Sequence, residues 1–246
     1  AHIGTNTAIA FDTGLSFGMN ARQHNAWIQF GGGMEKLREM YGQYGITNFV
    51  TGNVGVQMGG WYRKEIKSLK DLDGLKIRVG GIGGMVLQKL GAVPQQIPPS
   101  DIYPSLEKGT IDAAEWIGPY DDERLGLNKV APFYFSPGWW EGSASITTMV
   151  NTEAWEKLPA EFKAAFEAAA NEQALRMLAA YDAKNPPALR SLIAGGAQLK
   201  YFPKDVMEAA YKASQELWGE LSEENPDFAK IYPEWKKFQE AEASWF

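Results

Sequence analysis

The chain has 246 residues, 45% hydrophobic and 22% charged, which is enough apolar material for a buried core and too balanced for disorder. It contains no cysteine, so disulfides, thiolate catalysis and cysteine-ligated zinc are excluded. A net charge of −6 argues against nucleic acid or an anionic membrane as partner, and an anionic ligand would have to be met by a local cation.

No apolar run approaches the roughly 20 residues needed to cross a bilayer, so direct membrane insertion is not expected. The opening Ala1-His2-Ile3-Gly4 has neither the basic start nor the apolar core of a secretory leader. If the protein is exported, that leader lies outside this sequence. The clearest local unit covers residues 75–117. Residues 75–79 read as a strand, Gly80-Gly81-Ile82-Gly83-Gly84 as a turn, and residues 85–90 as a helix ended by Gly91. A second strand is expected over 93–98. A helix capped by Ser100 then runs to Leu106 and ends at Gly109, before a third strand over 111–117. Such alternation predicts an α/β fold with a parallel sheet and helical crossovers.

Residues 144–150 alternate like a strand. A long helix is expected over 160–184, with Phe162, Phe166, Ala169, Met177 and Tyr181 as its apolar stripe. At 1.5 Å per residue it would extend about 37 Å, and Asn185-Pro186-Pro187 is expected to stop it. A short helix, a strand over 198–202 and a helix over 204–223 follow, and the tail over 232–246 is amphipathic and aromatic. Aromatic residues concentrate at Trp61-Tyr62, from Trp116 to Tyr120, over 133–135 and at Trp139-Trp140. Clusters of that kind beside Gly and Pro suit the walls of a cavity.

Arg78 sits inside a short apolar strand, just before the glycine turn. A guanidinium at the carboxyl end of such a strand faces the crevice of an open α/β sheet, and its planar fork matches a carboxylate. A pairing with Asp73 or Glu115 at the surface is the alternative. The turn fails as a dinucleotide loop, because Val86 stands at the third glycine position and Asp101 opens a helix. Its amides instead suit a tight turn or a carboxylate. Glu115 beside Trp116, and Glu141 after Trp140, suit solvated surface, a catalytic pair or hard oxygen ligands for a cation; Gln57 would add a neutral carbonyl. His2 and His24 sit in no catalytic or metal-binding pattern, and the Asp121-Asp122-Glu123 run is expected on a solvated loop.

At these residues the sequence resembles the substrate-binding proteins of tripartite ATP-independent periplasmic (TRAP) transporters, and most resembles the branch that binds 2-oxo acids. The matching stretches begin with Phe17-Gly18-Met19-Asn20-Ala21-Arg22-Gln23, Gln57-Met58-Gly59-Gly60-Trp61-Tyr62-Arg63-Lys64-Glu65 and residues 72–81. They continue with Asp101-Ile102-Tyr103 through Tyr120-Asp121-Asp122-Glu123, then Pro137-Gly138-Trp139-Trp140-Glu141-Gly142. The resemblance implies a two-lobed, type II-like periplasmic-binding-protein fold spanned by one long helix. Residues 1–55 and 143–186 would form one lobe, and 56–142 with 187–246 the other.

It further implies that Arg78 makes the salt bridge to a ligand carboxylate, with Trp116, Glu115, Trp140 and Tyr120 around the ligand. A cation (Na⁺, Ca²⁺ or Mg²⁺) would be held by Gln57, the backbone of Trp116 with Glu115 beside it, and Glu141. The implied function is capture, not catalysis. A small 2-oxo or 2-hydroxy monocarboxylate, such as pyruvate or lactate, would be taken up in the periplasm and handed to the membrane permease. A homodimer is a further expectation. Another α/β unit is expected upstream, with a pocket-lining aromatic stretch at or before Ala1. A dicarboxylate or sugar acid would need a second positive group, from Arg63 or Arg22. Outside the family, the alternative is an α/β enzyme using Glu115 and Glu141 as acid and base.

Overall fold

The computed structural model describes residues 4–245. The aromatic stretch expected at or before Ala1, along with His2 and Phe246, lies outside the described residues. Asn6 caps a 3₁₀ turn, Thr7–Ile9, by accepting from Ala8 N, and the turn leads into α1 (Ala10–Thr13). An Asn20–Gln23 capping box opens α2 (Ala21–Phe30), and α3 (Gly33–Gly42) follows. The next elements are β1 (Ile46–Asn53), β2 (Trp61–Tyr62), β3 (Lys76–Arg78), α4 (Gly81–Lys89), β4 (Val93–Gln95), α5 (Pro99–Lys108) and β5 (Ala113–Ala114). Then come α6 (Pro119–Leu125), β6 (Phe133–Ser136), β7 (Ser145–Asn151), α7 (Thr152–Glu156), α8 (Ala160–Ala194), β8 (Gln198–Tyr201), α9 (Lys204–Glu224) and α10 (Pro226–Ala243).

The strands form a six-stranded sheet, ordered β4-β3-β5-β2-β6-β8, and a two-stranded antiparallel ribbon of β1 and β7. The expected parallel unit is present: β3 runs parallel to both β4 and β5. The sheet as a whole is mixed, because β2 is antiparallel to β5 and β6, while β6 and β8 are parallel. Helices cover both structures, and the chain adopts the α/β, two-lobed architecture anticipated from its motifs.

Local expectations needed correction in four places. Helix α4 begins inside the glycine run, at Gly81, whose φ of 64° favours glycine, so only Gly80 precedes the helix. Pro98 and Pro99 open α5 in place of Ser100, with Pro99 at the first turn, where its missing N–H costs nothing. The acidic run Asp121-Asp122-Glu123 lies on α6 rather than on a loop, and Asp122 is buried. Finally, α8 runs through Pro186 and Pro187 to Ala194, making it about 52 Å long. The two prolines cannot donate to the carbonyls of Asp182 and Ala183. Tertiary contacts hold the helix on either side of them: Asn185 Oδ1, just before, accepts from Tyr120 N at 3.1 Å, and Ala188 and Leu192, beyond, are buried.

Helix α8 therefore joins the two sheets. Its Met177 and Leu178 lie against Gly52 and Gly55 at the end of β1, and its Leu189 and Leu192 pack into a cluster with Trp61, Ile102, Leu106 and Tyr134. Helix α9 packs on α4, and α10 packs on α2 and α3 around Phe11, Trp27, Trp218, Phe228 and Trp235.

Asp122 is the polar centre of the smaller cluster. One carboxylate oxygen accepts from Trp61 Nε1 at 3.0 Å and Tyr134 OH at 2.7 Å, and the other accepts from Ile117 N at 3.2 Å. The two donor rings stack at 3.9 Å. Burial pushes the Asp122 carboxyl up to about 6 against these hydrogen bonds. Asp122→Ala strands two buried donors, so a loss of about 2–4 kcal/mol, or roughly 5–15 °C in Tm, is expected by calorimetry. Because the folded pKa is raised, the wild-type carboxyl stabilises the fold most below its unfolded value of 3.8 and loses that contribution as pH rises through about 6. The Tm of Asp122→Asn relative to wild type should therefore be higher at neutral pH than in acid. A difference that is flat with pH, or that runs the other way, contradicts the assignment.

Candidate functional site

Loops leaving both sheets converge on a cavity of about 190 Å³. Arg78 stands at the carboxyl end of β3, followed by Gly80 and Gly81 at the start of α4, and Glu115 and Trp116 follow β5. The segment after β1 contributes Gln57, and the loop between β6 and β7 contributes Trp140 and Glu141. This is the position at which open α/β sheets bind ligands: beyond the carboxyl ends of parallel strands, with a helix N-terminus turned toward the crevice. Ile9 and Thr13 close the cavity from the N-terminal turn and α1. Asp12 fixes that wall by accepting from Tyr41 OH on α3 and Thr147 Oγ1 on β7, both at 2.7 Å.

Arg78 pairs with Glu115 inside the cavity wall and not at the surface. Its Nη1 donates to the Glu115 carboxylate at 3.0 Å and to the Glu115 carbonyl at 2.6 Å, and its guanidinium lies 5.1 Å from the Trp116 ring. The side chains of Arg78 and Glu115 are only 18% and 10% exposed. Neither Nε nor Nη2 of Arg78 makes a hydrogen bond to the described residues, so a planar pair of donors remains for a ligand.

Gln57 Nε2 donates to Glu141 Oε2 at 3.0 Å. An amide that turns its N–H toward a carboxylate must turn its carbonyl away, and Gln57 Oε1 is buried with no hydrogen-bond partner. A buried acceptor without a donor is costly unless it meets one or ligates a cation.

Electrostatics point the same way. Burial raises the Glu115 carboxyl well above the usual range; Arg78 opposes that rise, while Glu141 and Asp122 reinforce it. Burial also pushes Glu141 up to about 7, despite the hydrogen bond from Gln57 and the charge of Arg78. Among the described residues these two buried carboxyl groups share one guanidinium. No group of three or more His, Cys, Asp or Glu among the described residues is arranged to hold a metal, so a cation here would combine the cavity's carboxylates with neutral oxygens and its ligand.

Of the residues singled out in the sequence, the structure brings Arg78, Glu115, Trp116, Gln57, Trp140 and Glu141 together. Tyr120 is placed elsewhere. It lies on α6 against Tyr181 of α8, its ring centroid 6.0 Å away, and its hydroxyl accepts from Arg124 and Lys184. Arg22 and Arg63 do not line the cavity either, and Arg63 lies 4.0 Å from Asp112. Sequence reasoning missed Ile9 and Thr13, which sit in a short turn with no periodicity or motif to flag them.

Comparison with known proteins gives this geometry a family. Residues 4–225 match the model of the bacterial extracellular solute-binding proteins, family 7 (DctP). A monocarboxylate 2-oxoacid-binding periplasmic protein of Nostoc sp. is 45% identical over 244 residues, covering 99% of this chain and 67% of the relative. A TRAP transporter solute-binding protein from Bordetella bronchiseptica is 74% identical with a TM-score of 0.97, covering 100% of this chain and 73% of the relative. That structure is a mixed-occupancy dimer, with copurified calcium and picolinate in one active site and the other apo. A TRAP periplasmic solute-binding protein from Colwellia psychrerythraea, solved with calcium and pyruvate, is 40% identical with a TM-score of 0.96, covering 99% of this chain and 75% of that one. The chain belongs to the bacterial extracellular solute-binding proteins of family 7, the solute receptors of TRAP transporters.

Proposed function

We propose that this chain captures a small carboxylate bearing a second donor atom at its 2-position, with a 2-oxo acid such as pyruvate foremost, together with a cation. The observation that carries the reading is the buried, partnerless Gln57 Oε1 beside Glu141, in the same small cavity as Arg78. The carboxylate would meet the free edge of Arg78. Gln57 Oε1, the Glu141 carboxylate and the Trp116 carbonyl, with Glu115 beside it, would hold the cation. All of these are hard oxygen donors of the kind that suit Na⁺, Ca²⁺ or Mg²⁺. When bound, the cation supplies positive charge between Glu141 and the ligand, offsetting the excess negative charge of the cavity. Pyruvate and picolinate, found in the relatives, both place a donor atom next to the carboxylate, where it can share the cation.

The cavity is smaller than the roughly 300–1,000 Å³ of sites for drug-sized ligands, and Arg78 is the one cationic side chain among its described lining residues. Both facts favour a monocarboxylate over a dicarboxylate or sugar acid. Residues 1–55 with 143–186, and 56–142 with 187–246, would be the lobes that close on the ligand. The ligand then leaves chemically unchanged, in the periplasm, for a membrane permease. Self-association, as in the Bordetella dimer, belongs to the same reading.

Charge-assisted hydrogen bonds contribute about 1.5–3 kcal/mol each, and Arg78→Ala removes two. Calorimetry with pyruvate should show affinity at least about a hundredfold lower. Arg78→Lys keeps the charge beside Glu115 but loses the fork, and should also bind poorly. Lysine performing as well as arginine would remove the bidentate role.

Cation and acid should bind with reciprocal positive coupling, so chelation should weaken pyruvate binding by the factor by which pyruvate strengthens calcium binding. Glu141→Gln retains shape, removes charge and should abolish most of that coupling. If pyruvate binds equally well with calcium and with chelator, the site holds no cation. Incubated with stoichiometric protein and followed by NMR, pyruvate should be recovered unchanged; protein-dependent conversion would instead favour Glu115 and Glu141 as an acid–base pair.

A further inference from the structure

The segments carrying Gln57, Trp116 and Glu141 are joined backbone to backbone. Met58 N donates to Ile117 O at 3.0 Å, and Gly138 N donates to Gln57 O at 2.9 Å. Gln57 is thereby held from one side by the segment of Trp116 and from the other by the loop of Glu141. Glu141 N returns to Gly138 O at 3.3 Å, closing a turn over residues 138–141 that sets the carboxylate against the Gln57 amide.

Gly138 is the point of closest approach. A Cβ there would stand 2.8 Å from both Gln57 O and Met58 O. Its φ is not left-handed, so alanine would suffer no conformational penalty of its own; the two neighbouring carbonyls exclude it. Because those oxygens belong to the backbone, no side-chain rotation relieves the contact, and the two segments would have to separate by several tenths of an ångström. A calcium site tolerates oxygen distances of about 2.3–2.6 Å, and a magnesium site far less variation. A separation of that size uses up the tolerance.

We infer that Gly138 is a positioning residue for the cation, its missing side chain setting the spacing between Gln57 Oε1 and the Glu141 carboxylate. The inference rests on the reading that these two residues hold the cation. The same loop is gripped from its other side at Gly142, where a Cβ would stand 2.7 Å from Met19 O and 2.8 Å from Gly18 O.

The test titrates pyruvate by calorimetry, with saturating calcium and with chelator, into wild type, Gly138→Ala, Gln57→Ala and the double variant. Gly138→Ala should lower the calcium-dependent part of the affinity by at least about tenfold, and that effect should shrink to within about twofold in the Gln57→Ala background. A loss of equal size with and without calcium, or one undiminished by Gln57→Ala, overturns the positioning role. Calcium-dependent wild-type binding left unaltered by Gly138→Ala overturns it too, while the cation site stands. A wild type indifferent to calcium removes the site itself and the inference with it. Should circular dichroism show Gly138→Ala unfolded, Gly142→Ala paired with Glu141→Gln is judged by the same criteria; if neither glycine variant folds, the two positions are architectural and the inference falls.

Discussion

A carboxylate taken out of water costs several kcal/mol unless opposite charge and hydrogen bonds accompany it. Here Glu115 and Glu141 are both taken out of water around Arg78, with Asp122 close enough to add to the effect. Among the described residues Arg78 is spent on Glu115 through one nitrogen, and Glu141 receives one amide hydrogen, from Gln57. The described part of the cavity therefore sets two buried carboxyl groups, both pushed toward their neutral forms, against one guanidinium, together with a buried carbonyl oxygen that has nothing to accept. A cation beside the anionic ligand would meet both deficits at once. It would also give ligand and cation a reason to enter together, since each brings the charge that the other lacks.

The fold supplies this concentration of charge at modest cost because it gathers loop ends and leaves strand interiors apolar. The parallel strands β3 and β5 deliver Arg78 and Glu115 side by side, and their cores remain Ile77, Ala113 and Ala114, all fully buried. The loop between β6 and β7 crosses from the large sheet to the ribbon and carries Glu141 over the gap. Helix α8 packs on β1 at one end and on α6 at the other, so it links the two sheets that border the cavity. An element anchored on both sides of a cleft resists separation of the walls while leaving local loops free to adjust.

Much of the site was legible because its residues break the pattern around them. Arg78 interrupts an apolar strand, Glu115 and Glu141 adjoin tryptophan, and Gln57 sits in a glycine-rich stretch, all within motifs long enough to resemble a family. Tyr120 was misplaced for a physical reason. It lies in the same aromatic run as Trp116, but α6 starts at Pro119 and turns the ring toward Tyr181, Arg124 and Lys184. The same helix hid Asp122, whose acidic neighbours suggested solvent although its partners, Trp61 and Tyr134, lie far away in sequence. Helix α8 outran its prolines because burial of Ala188 and Leu192 compensates the missing donors, a term that no local signal contains. The glycine run was read as a turn, yet its helical part lets Gly83 approach Trp140, where a Cβ would lie 2.5 Å from that residue's own Cβ.

The most direct measurement of this account is a crystal structure of the chain grown with pyruvate and calcium. It should place the pyruvate carboxylate on the free edge of Arg78. It should also place calcium at about 2.3–2.6 Å from Gln57 Oε1, the Glu141 carboxylate and the 2-oxo oxygen of the ligand, with the hydrogen bond between Gln57 and Glu141 replaced by ligation. Pyruvate bound away from Arg78, or bound there with Gln57 Oε1 still facing no cation, would contradict it.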